Sequence, residues 1–260
     1  MGHERIGRLP RSVSWRNIVS ALDDAASGSD TDFATLAAKT LELVRSRFQA
    51  LHRDTGVQAA FGFIVALARS QPATIGSRAS PNLSLPSDAT PFRLSVALNE
   101  WVDTHAQSNE YAELSKRAAA EAIAAWHNQQ SHQPSLFAQG SAGSSREAWS
   151  AASTGAGFSE VSRMFLARLT ERYLRYFLER EASAAITNID ARERFSERLH
   201  KSVDLVSQHA FETSRIAQSF AAGWYNKHAR HQTPNNASLS TFLRIAFEKL
   251  REELRREASQ

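Results

Sequence analysis

The C-terminal half of this chain can fold into little other than long α-helices. No proline occurs between Pro134 and Pro234, and no glycine occurs between Gly157 and Gly223, so the common helix breakers are missing. Side chains also recur at alternating spacings of four and three, the pattern of a helix packed lengthwise on another helix. The positions of this seam are Leu199, Val203, Val206, Ala210, Thr213, Ala217, Phe220 and Trp224. The sequence therefore predicts an all-α protein, a multi-helix bundle of roughly eight or nine helices with long antiparallel C-terminal helices.

Proline, glycine and serine content divides the chain into two helical regions and a linker. Residues 1–130 form the N-terminal helical region, whose proline-rich stretch at about 71–91 is a long loop and a candidate for mobility or ligand binding. Residues 131–157, rich in Ser, Gly, Gln and Ala, are the predicted linker. Residues 158–260 form the C-terminal bundle of long helices. The alternative, which the pattern leaves open, is that both helical regions pack together as one domain.

Helical spacing also places individual helices and their caps. Helices are expected at about 92–105 and 109–130, and from Phe158 to about Ile186. Side-chain oxygens at helix starts accept hydrogen bonds from free backbone N–H groups, so polar residues mark those starts. On that basis the predicted caps are Ser108 for the helix near residue 109, Asn188 or Asp190 for the helix that carries the seam, and Ser238 or Ser240 for the last helix.

The composition excludes several chemistries and leaves the meaning of the charge open. The chain has no cysteine, which excludes disulfides, thiolate metal sites and cysteine nucleophiles. Its net charge is +4, and arginine dominates the basic residues, with 26 Arg against 5 Lys. A GC-rich bacterial genome accounts for this bias most simply. The alternative is nucleic-acid binding, since guanidinium groups match phosphate oxygens.

The apolar segments are too short for a membrane protein. The polar N-terminus lacks the apolar core of a signal peptide. The longest apolar run, Val57 to Ala68, is shorter than the roughly 20 residues that a bilayer-spanning helix needs. We therefore expect a cytoplasmic protein without a membrane span.

Most catalytic signatures do not occur in the sequence. There is no phosphate-binding glycine loop, dinucleotide fingerprint, nucleophile elbow or zinc-protease motif. His228 and His231 are spaced one helical turn apart, but they sit at a polar helix end without an evident third ligand, and a solvated helix terminus is the favoured interpretation. We therefore expect no metal and no cofactor, and a protein without enzymatic activity is the favoured interpretation.

One short motif keeps an enzymatic alternative open. Arg47, an apolar residue, three further residues and His52 form a pattern that resembles the active-site motif of the HEPN superfamily of all-α ribonucleases. The resemblance covers six residues, and Phe48 stands where that family often has a polar residue. It implies RNA cleavage by a dimer, in which His52 acts as acid or base and Arg47 holds the scissile phosphate.

Several aromatic residues adjoin arginines along the predicted C-terminal helices. Examples are Arg172-Tyr173, Arg175-Tyr176-Phe177 and Trp224-Tyr225. Such pairs suit stacking platforms for single-stranded nucleic acid. Their helical spacing favours core packing instead, with the tyrosine hydroxyl groups at the rim of the bundle.

The sequence thus favours a non-catalytic helical interaction subunit of a bacterial multi-protein assembly, for instance an accessory component of a defence system. Its expected partner is another protein subunit or a second copy of the chain, and arginines allow a nucleic-acid partner. The terminal helix is the predicted docking element, although packing on its own bundle is an equal alternative. Its candidate anchors are Leu243, Phe247, Leu250 and Leu254.

Overall fold

All regular structure that can be described in this protein is helical. A computed structural model describes residues 50–69, 90–132, 145–185, 188–191 and 215–257, together with residues 17, 39, 48, 193, 194 and 197. The helices are α1 (Thr55–Arg69), α2 (Pro91–His105), α3 (Glu110–His132), α4 (Ser145–Ala152), α5 (Gly155–Ala185), α6 (Arg215–Trp224) and α7 (Asn236–Glu257). A 3-10 turn, Leu51–Arg53, precedes α1, and a π-helical turn, Tyr225–Ala229, follows α6. The prediction of an all-α helical bundle is confirmed.

The positions of the helices agree closely with the helical spacing of the sequence. The helix expected at 92–105 is α2, and the helix expected from Phe158 to about Ile186 is α5. Most of the seam and most of the proline-rich loop at about 71–91 lie outside the described residues. The end of the predicted linker contains α4 and the first residues of α5.

Four of these seven helices begin at a polar side chain that caps the backbone. The helical residues 189–191 begin in the same way, since Asn188 Oδ1 accepts from Ala191 N at 3.1 Å, which confirms the predicted cap Asn188. Asp54 Oδ1 accepts from Gly56 N at 2.9 Å and Val57 N at 3.0 Å at the start of α1. The other caps are Asn109 on α3, Thr154 on α5 and Asn235 on α7. The predicted caps Ser108, Ser238 and Ser240 are therefore wrong. An asparagine in each case lies where the chain enters the helix, so its amide oxygen reaches the free N–H groups.

One hydrophobic core takes side chains from every α-helix of the described residues. Helix α5 runs antiparallel to α3, because Tyr176 bonds to Glu110 at the start of α3 while Arg172 pairs with Glu121 farther along. Phe61 of α1 lies at the centre of an aromatic cluster in this core. Its ring neighbours are Phe158, Phe165, Trp224 and Phe242.

Two of the caps are joined to each other, which ties the starts of α1 and α3 together. Asn109 Nδ2 donates to Asp54 Oδ2 at 3.0 Å. The two helices also come unusually close, since a Cβ atom on Gly56 would lie 2.5 Å from the Cα atom of Ala112. The linked caps and the close contact therefore fix the starts of α1 and α3 against each other.

We expect the two caps to be energetically coupled. Asp54→Ala and Asn109→Ala should each lower the free energy of unfolding by about 1–2 kcal/mol, because each leaves helix N–H groups without an acceptor. The double variant should lose less than the sum by about 0.5–1 kcal/mol, since either change already breaks the bond between the caps. Urea unfolding of the four proteins measures this difference.

The cap of α7 supplies the control for this comparison of single and double variants. Asn235 caps a helix start without a bond to Asp54, so Asp54→Ala and Asn235→Ala should add to within about 0.5 kcal/mol. Additive losses for Asp54→Ala and Asn109→Ala would contradict the coupling.

Within the described residues, no helix combines the length and the apolar character needed to cross a bilayer.

Candidate functional site

The residues of the ribonuclease-like motif are only partly described. Arg47 lies outside the described residues. Phe48 is fully buried, with its ring centroid 5.3 Å from that of Tyr173 and 5.1 Å from that of Phe247. His52 is half-buried in the 3-10 turn, and its backbone carbonyl accepts a hydrogen bond from Gln58 Nε2 at 2.7 Å. The catalytic alternative for Arg47 and His52 therefore remains a prediction from sequence.

The proposed anchors of the terminal helix belong to the protein's own core. Leu243, Phe247 and Leu250 of α7 are all buried in the central hydrophobic cluster. The side chain of Leu254 is not among those described. In this conformation the apolar face of α7 packs on its own bundle, the alternative that the sequence had left open, and docking through it would require α7 to detach.

An exposed apolar pair lies instead on α2. Leu94, Leu98 and Val102 face the core, while Phe92 is 78% exposed and Val96 is 46% exposed. These two side chains are four residues apart, so they lie one helical turn apart on the same face. Adjacent exposed apolar side chains form a contiguous patch, and such patches mark interaction sites.

The same face of α2 becomes acidic toward its C-terminal end. Asn99, Glu100 and Asp103 are exposed, and Phe92, Val96, Asn99 and Asp103 follow at spacings of four, three and four. Phe92, Val96, Asn99, Glu100 and Asp103 are together called the outer face of α2. A surface with this order is complementary to a helix that carries apolar side chains followed by a basic one.

Asp103 is held in place by a lysine of the neighbouring helix. The buried Lys116 of α3 donates to Asp103 and to Glu113, the latter at 2.8 Å. Burial by itself lowers the pKa of Lys116, but the hydrogen bonds and charges of the two carboxylates outweigh it and raise that pKa. Lys116 therefore stays charged, and both carboxylates remain accessible on their outer sides.

A shallow groove of about 220 Å³ lies where α2 turns into α3. Its lining residues are Ser108, Asn109, Glu110, Glu113, Leu114, Arg117 and Tyr176. The hydroxyl of Tyr176 donates to Glu110 Oε2 at 2.9 Å, which closes one side. His52 is not among the lining residues, so the groove is not the site that the ribonuclease-like motif predicted.

A second candidate surface forms where the end of α1 meets the π-helical turn. The hydroxyl of Tyr225 donates to the carbonyl of Ala68 at 3.0 Å, and Arg69 Nη1 donates to Thr233 Oγ1 at 2.8 Å. The backbone N–H of Arg230 donates to the carbonyl of Tyr225 at 2.8 Å and closes the wide turn. Such π-helical turns occur frequently at functional sites.

This junction gathers basic side chains. Lys227, Arg230 and His231 are exposed on the turn or just after it, and Arg69 is half-buried beside them. These four residues are called the basic corner. Burial raises the pKa of Tyr225, and the charges of Arg69 and Arg230 offset only part of that rise. The phenol is therefore neutral at physiological pH and serves as a hydrogen-bond donor.

The histidine pair and the aromatic residues next to arginines lie in different surroundings. His228 is half-buried against the ring of Trp224, and His231 is exposed. In the ranges that the structure describes, no three His, Asp or Glu side chains are grouped so that they could hold a metal ion. Tyr173, Phe177, Trp224 and Tyr225 are buried, so they pack in the core and do not form stacking platforms. The prediction that tyrosine hydroxyl groups lie at the rim of the bundle is wrong for Tyr173 and Tyr225, because both tyrosines are buried within the core.

Sequence reasoning missed both candidate surfaces for different reasons. A helical wheel of residues 91–105 would have placed Phe92 and Val96 opposite the buried stripe, so that signal was present. Lys227, Arg230 and His231 of the basic corner are close in sequence. The addition of Arg69 had no local signal, because Ala68 and Tyr225 are 157 residues apart. Comparisons with protein-family models, with curated proteins and with solved structures give no match for this chain.

Proposed function

We propose that this protein is a non-catalytic interaction subunit that binds a helix of a partner protein on the outer face of α2. The observation that carries the proposal is the exposure of Phe92 and Val96 side by side on a helix whose other face is anchored in the core. A rigid helix bearing two apolar anchors loses little conformational freedom on binding, which favours affinity.

The chemistry of the outer face specifies the partner. Phe92 and Val96 suit apolar side chains, whereas Glu100 and Asp103 suit a lysine or arginine two turns farther along. The proposed partner is therefore an amphipathic helix with apolar anchors and a basic end. The proposal includes the setting that the sequence favoured, a cytoplasmic bacterial multi-protein assembly such as a defence system.

The test compares two exposed apolar sites in the full chain. The tagged protein, its Phe92→Ser/Val96→Ser variant and an Ile189→Ser control are purified from the source cells. Ile189 is 69% exposed and lies outside α2. We expect a partner that copurifies with the parent chain and the control and is lost with the double variant. Calorimetry with that purified partner should show at least a 10-fold, and roughly up to a 100-fold, loss of affinity for the double variant.

Two results would contradict the proposal. One is a partner that binds the double variant as well as it binds the parent chain. The other is a homodimer, detected by light scattering, that dissociates in the Phe92→Ser/Val96→Ser variant, because the outer face would then receive a second copy. Circular dichroism of each variant checks that the fold is retained, as surface substitutions of this kind change stability little.

A further inference from the structure

The basic corner combines basic side chains from two distant segments of the chain. Arg69 ends α1, and Lys227, Arg230 and His231 follow α6. The bonds from Tyr225 to Ala68 and from Arg69 to Thr233 join these segments directly. Three of the four residues lie within positions 227–231, and the fold adds Arg69 to them.

The segments that form the basic corner are poor in acidic residues. No Asp or Glu occurs between Asp54 and Asp88, or between Glu212 and Glu248, so both segments that meet here are free of carboxylates. The start of α5 also reaches the corner, since Gly155 lies against Asn226. The first acidic residue of α5 is Glu160, which accepts from Arg163 Nε at 3.0 Å. Among the described residues, Lys227 and Arg230 form no ion pair.

Stabilisation of helix ends does not account for all of this charge. Each helix C-terminus carries a partial charge of about −0.5, so α1 and the π-helical turn together contribute about −1. Arg69, Lys227 and Arg230 supply three full positive charges, and the nearby N-terminus of α7 adds a positive partial charge. A clear positive excess therefore remains at the surface, where it attracts anions.

We propose that the basic corner is a phosphate-binding surface that receives the backbone of a nucleic acid. Arginine matches phosphate oxygens with paired N–H donors, and lysine adds a compact charge. Asn226, Gln232 and Thr233 are exposed beside the cations. Polar side chains of this kind contact sugar and phosphate in nucleic-acid complexes. The exposed cations follow one another along the turn, which suits successive phosphates of a polyanion.

The test measures binding of labelled oligonucleotides to the full chain. Fluorescence anisotropy with a single-stranded RNA and a duplex DNA, each about 20 nucleotides or base pairs long, is recorded at low and moderate salt. We expect binding that weakens steeply with salt. Lys227→Gln/Arg230→Gln should lower the affinity at low salt at least about 10-fold and reduce the slope of log K against log salt by about 2.

A matched variant controls for net charge. Lys39 and Arg117 are exposed elsewhere on the protein, so Lys39→Gln/Arg117→Gln removes the same two charge types. This control should change the affinity by less than about 3-fold. Equal losses in the two double variants would overturn the proposal, as would the absence of oligonucleotide binding by the parent chain at micromolar concentration.

Competing anions identify the source of the phosphate. Inorganic pyrophosphate and a mononucleotide, added at constant ionic strength, should displace little oligonucleotide if successive backbone phosphates are bound. Full displacement by either small anion would overturn the nucleic-acid form of the proposal. Binding to phosphatidylserine vesicles with the same dependence on Lys227 and Arg230 would overturn it as well. Thermal melting verifies that the variants are folded.

Discussion

Phe61→Ala is expected to lower the free energy of unfolding by about 3–5 kcal/mol. Phe61 is fully buried, and its ring lies 4.7 Å from that of Phe242 at an angle of only 10°. Further rings, those of Phe158, Phe165 and Trp224, surround it at 5.9–6.2 Å. These neighbours come from three different helices, α5, α6 and α7, so they cannot all move inward to fill the cavity that alanine would leave.

The chain offers a matched substitution for this measurement. Phe92→Ala removes the same atoms from a side chain that is 78% exposed, and it should change the free energy of unfolding by less than about 0.5 kcal/mol. Guanidinium unfolding followed by circular dichroism measures both values. Similar losses for the two variants would show that Phe61 is not the centre of the core.

The helices were predictable because their signals are local. Buried side chains recur along α2 and α5 at helical spacing, and breakers lie only at their ends, so nearby residues suffice to place them. Cap residues were less predictable, because Ser108 and Asn109 are both good caps and adjacent in sequence. Only the path of the chain into α3 decides which of the two reaches the free N–H groups.

The role of the terminal helix could not be decided from its own sequence. Leu243, Phe247 and Leu250 form an apolar stripe, and such a stripe is the same whether it packs on its own bundle or on a partner. What decides between these alternatives is the presence of a complementary surface elsewhere in the chain. Phe48 supplies part of that surface through its contact with Phe247, and the two residues are far apart in sequence.

The two candidate surfaces also differ in whether residues near in sequence or far apart in sequence determine them. The exposure of Phe92 and Val96 follows from the helical period of α2, given that Leu94 and Leu98 face the core. The basic corner depends on a contact between the end of α1 and a π-helical turn. The regular spacing of the predicted seam continues to Trp224, and the change to π-helical geometry at Tyr225 has no evident local cause.

Gly157→Ala is expected to be the most damaging single-methyl change, with a loss of at least about 3 kcal/mol. A Cβ atom on Gly157 would lie 2.1 Å from the carbonyl oxygen of Ala151. That oxygen has little freedom to move, because it accepts from the backbone N–H of Thr154 at 3.3 Å and from its hydroxyl at 3.0 Å. The same hydroxyl accepts from Gly157 N at 3.0 Å, so the added methyl group would disrupt the hydrogen bonds that join α4 to α5.

Gly223→Ala should have the opposite effect and serves as the control. Gly223 is exposed in α6, and a Cβ atom there would meet nothing within 4 Å. Alanine is favoured over glycine inside a helix by about 0.5–1 kcal/mol, so this variant should be slightly more stable than the parent chain. Urea unfolding of both variants tests the contrast. Equal midpoints for Gly157→Ala and the parent chain would mean that α4 and α5 do not meet in the tight turn, because a backbone contact of that kind leaves no room for a methyl group.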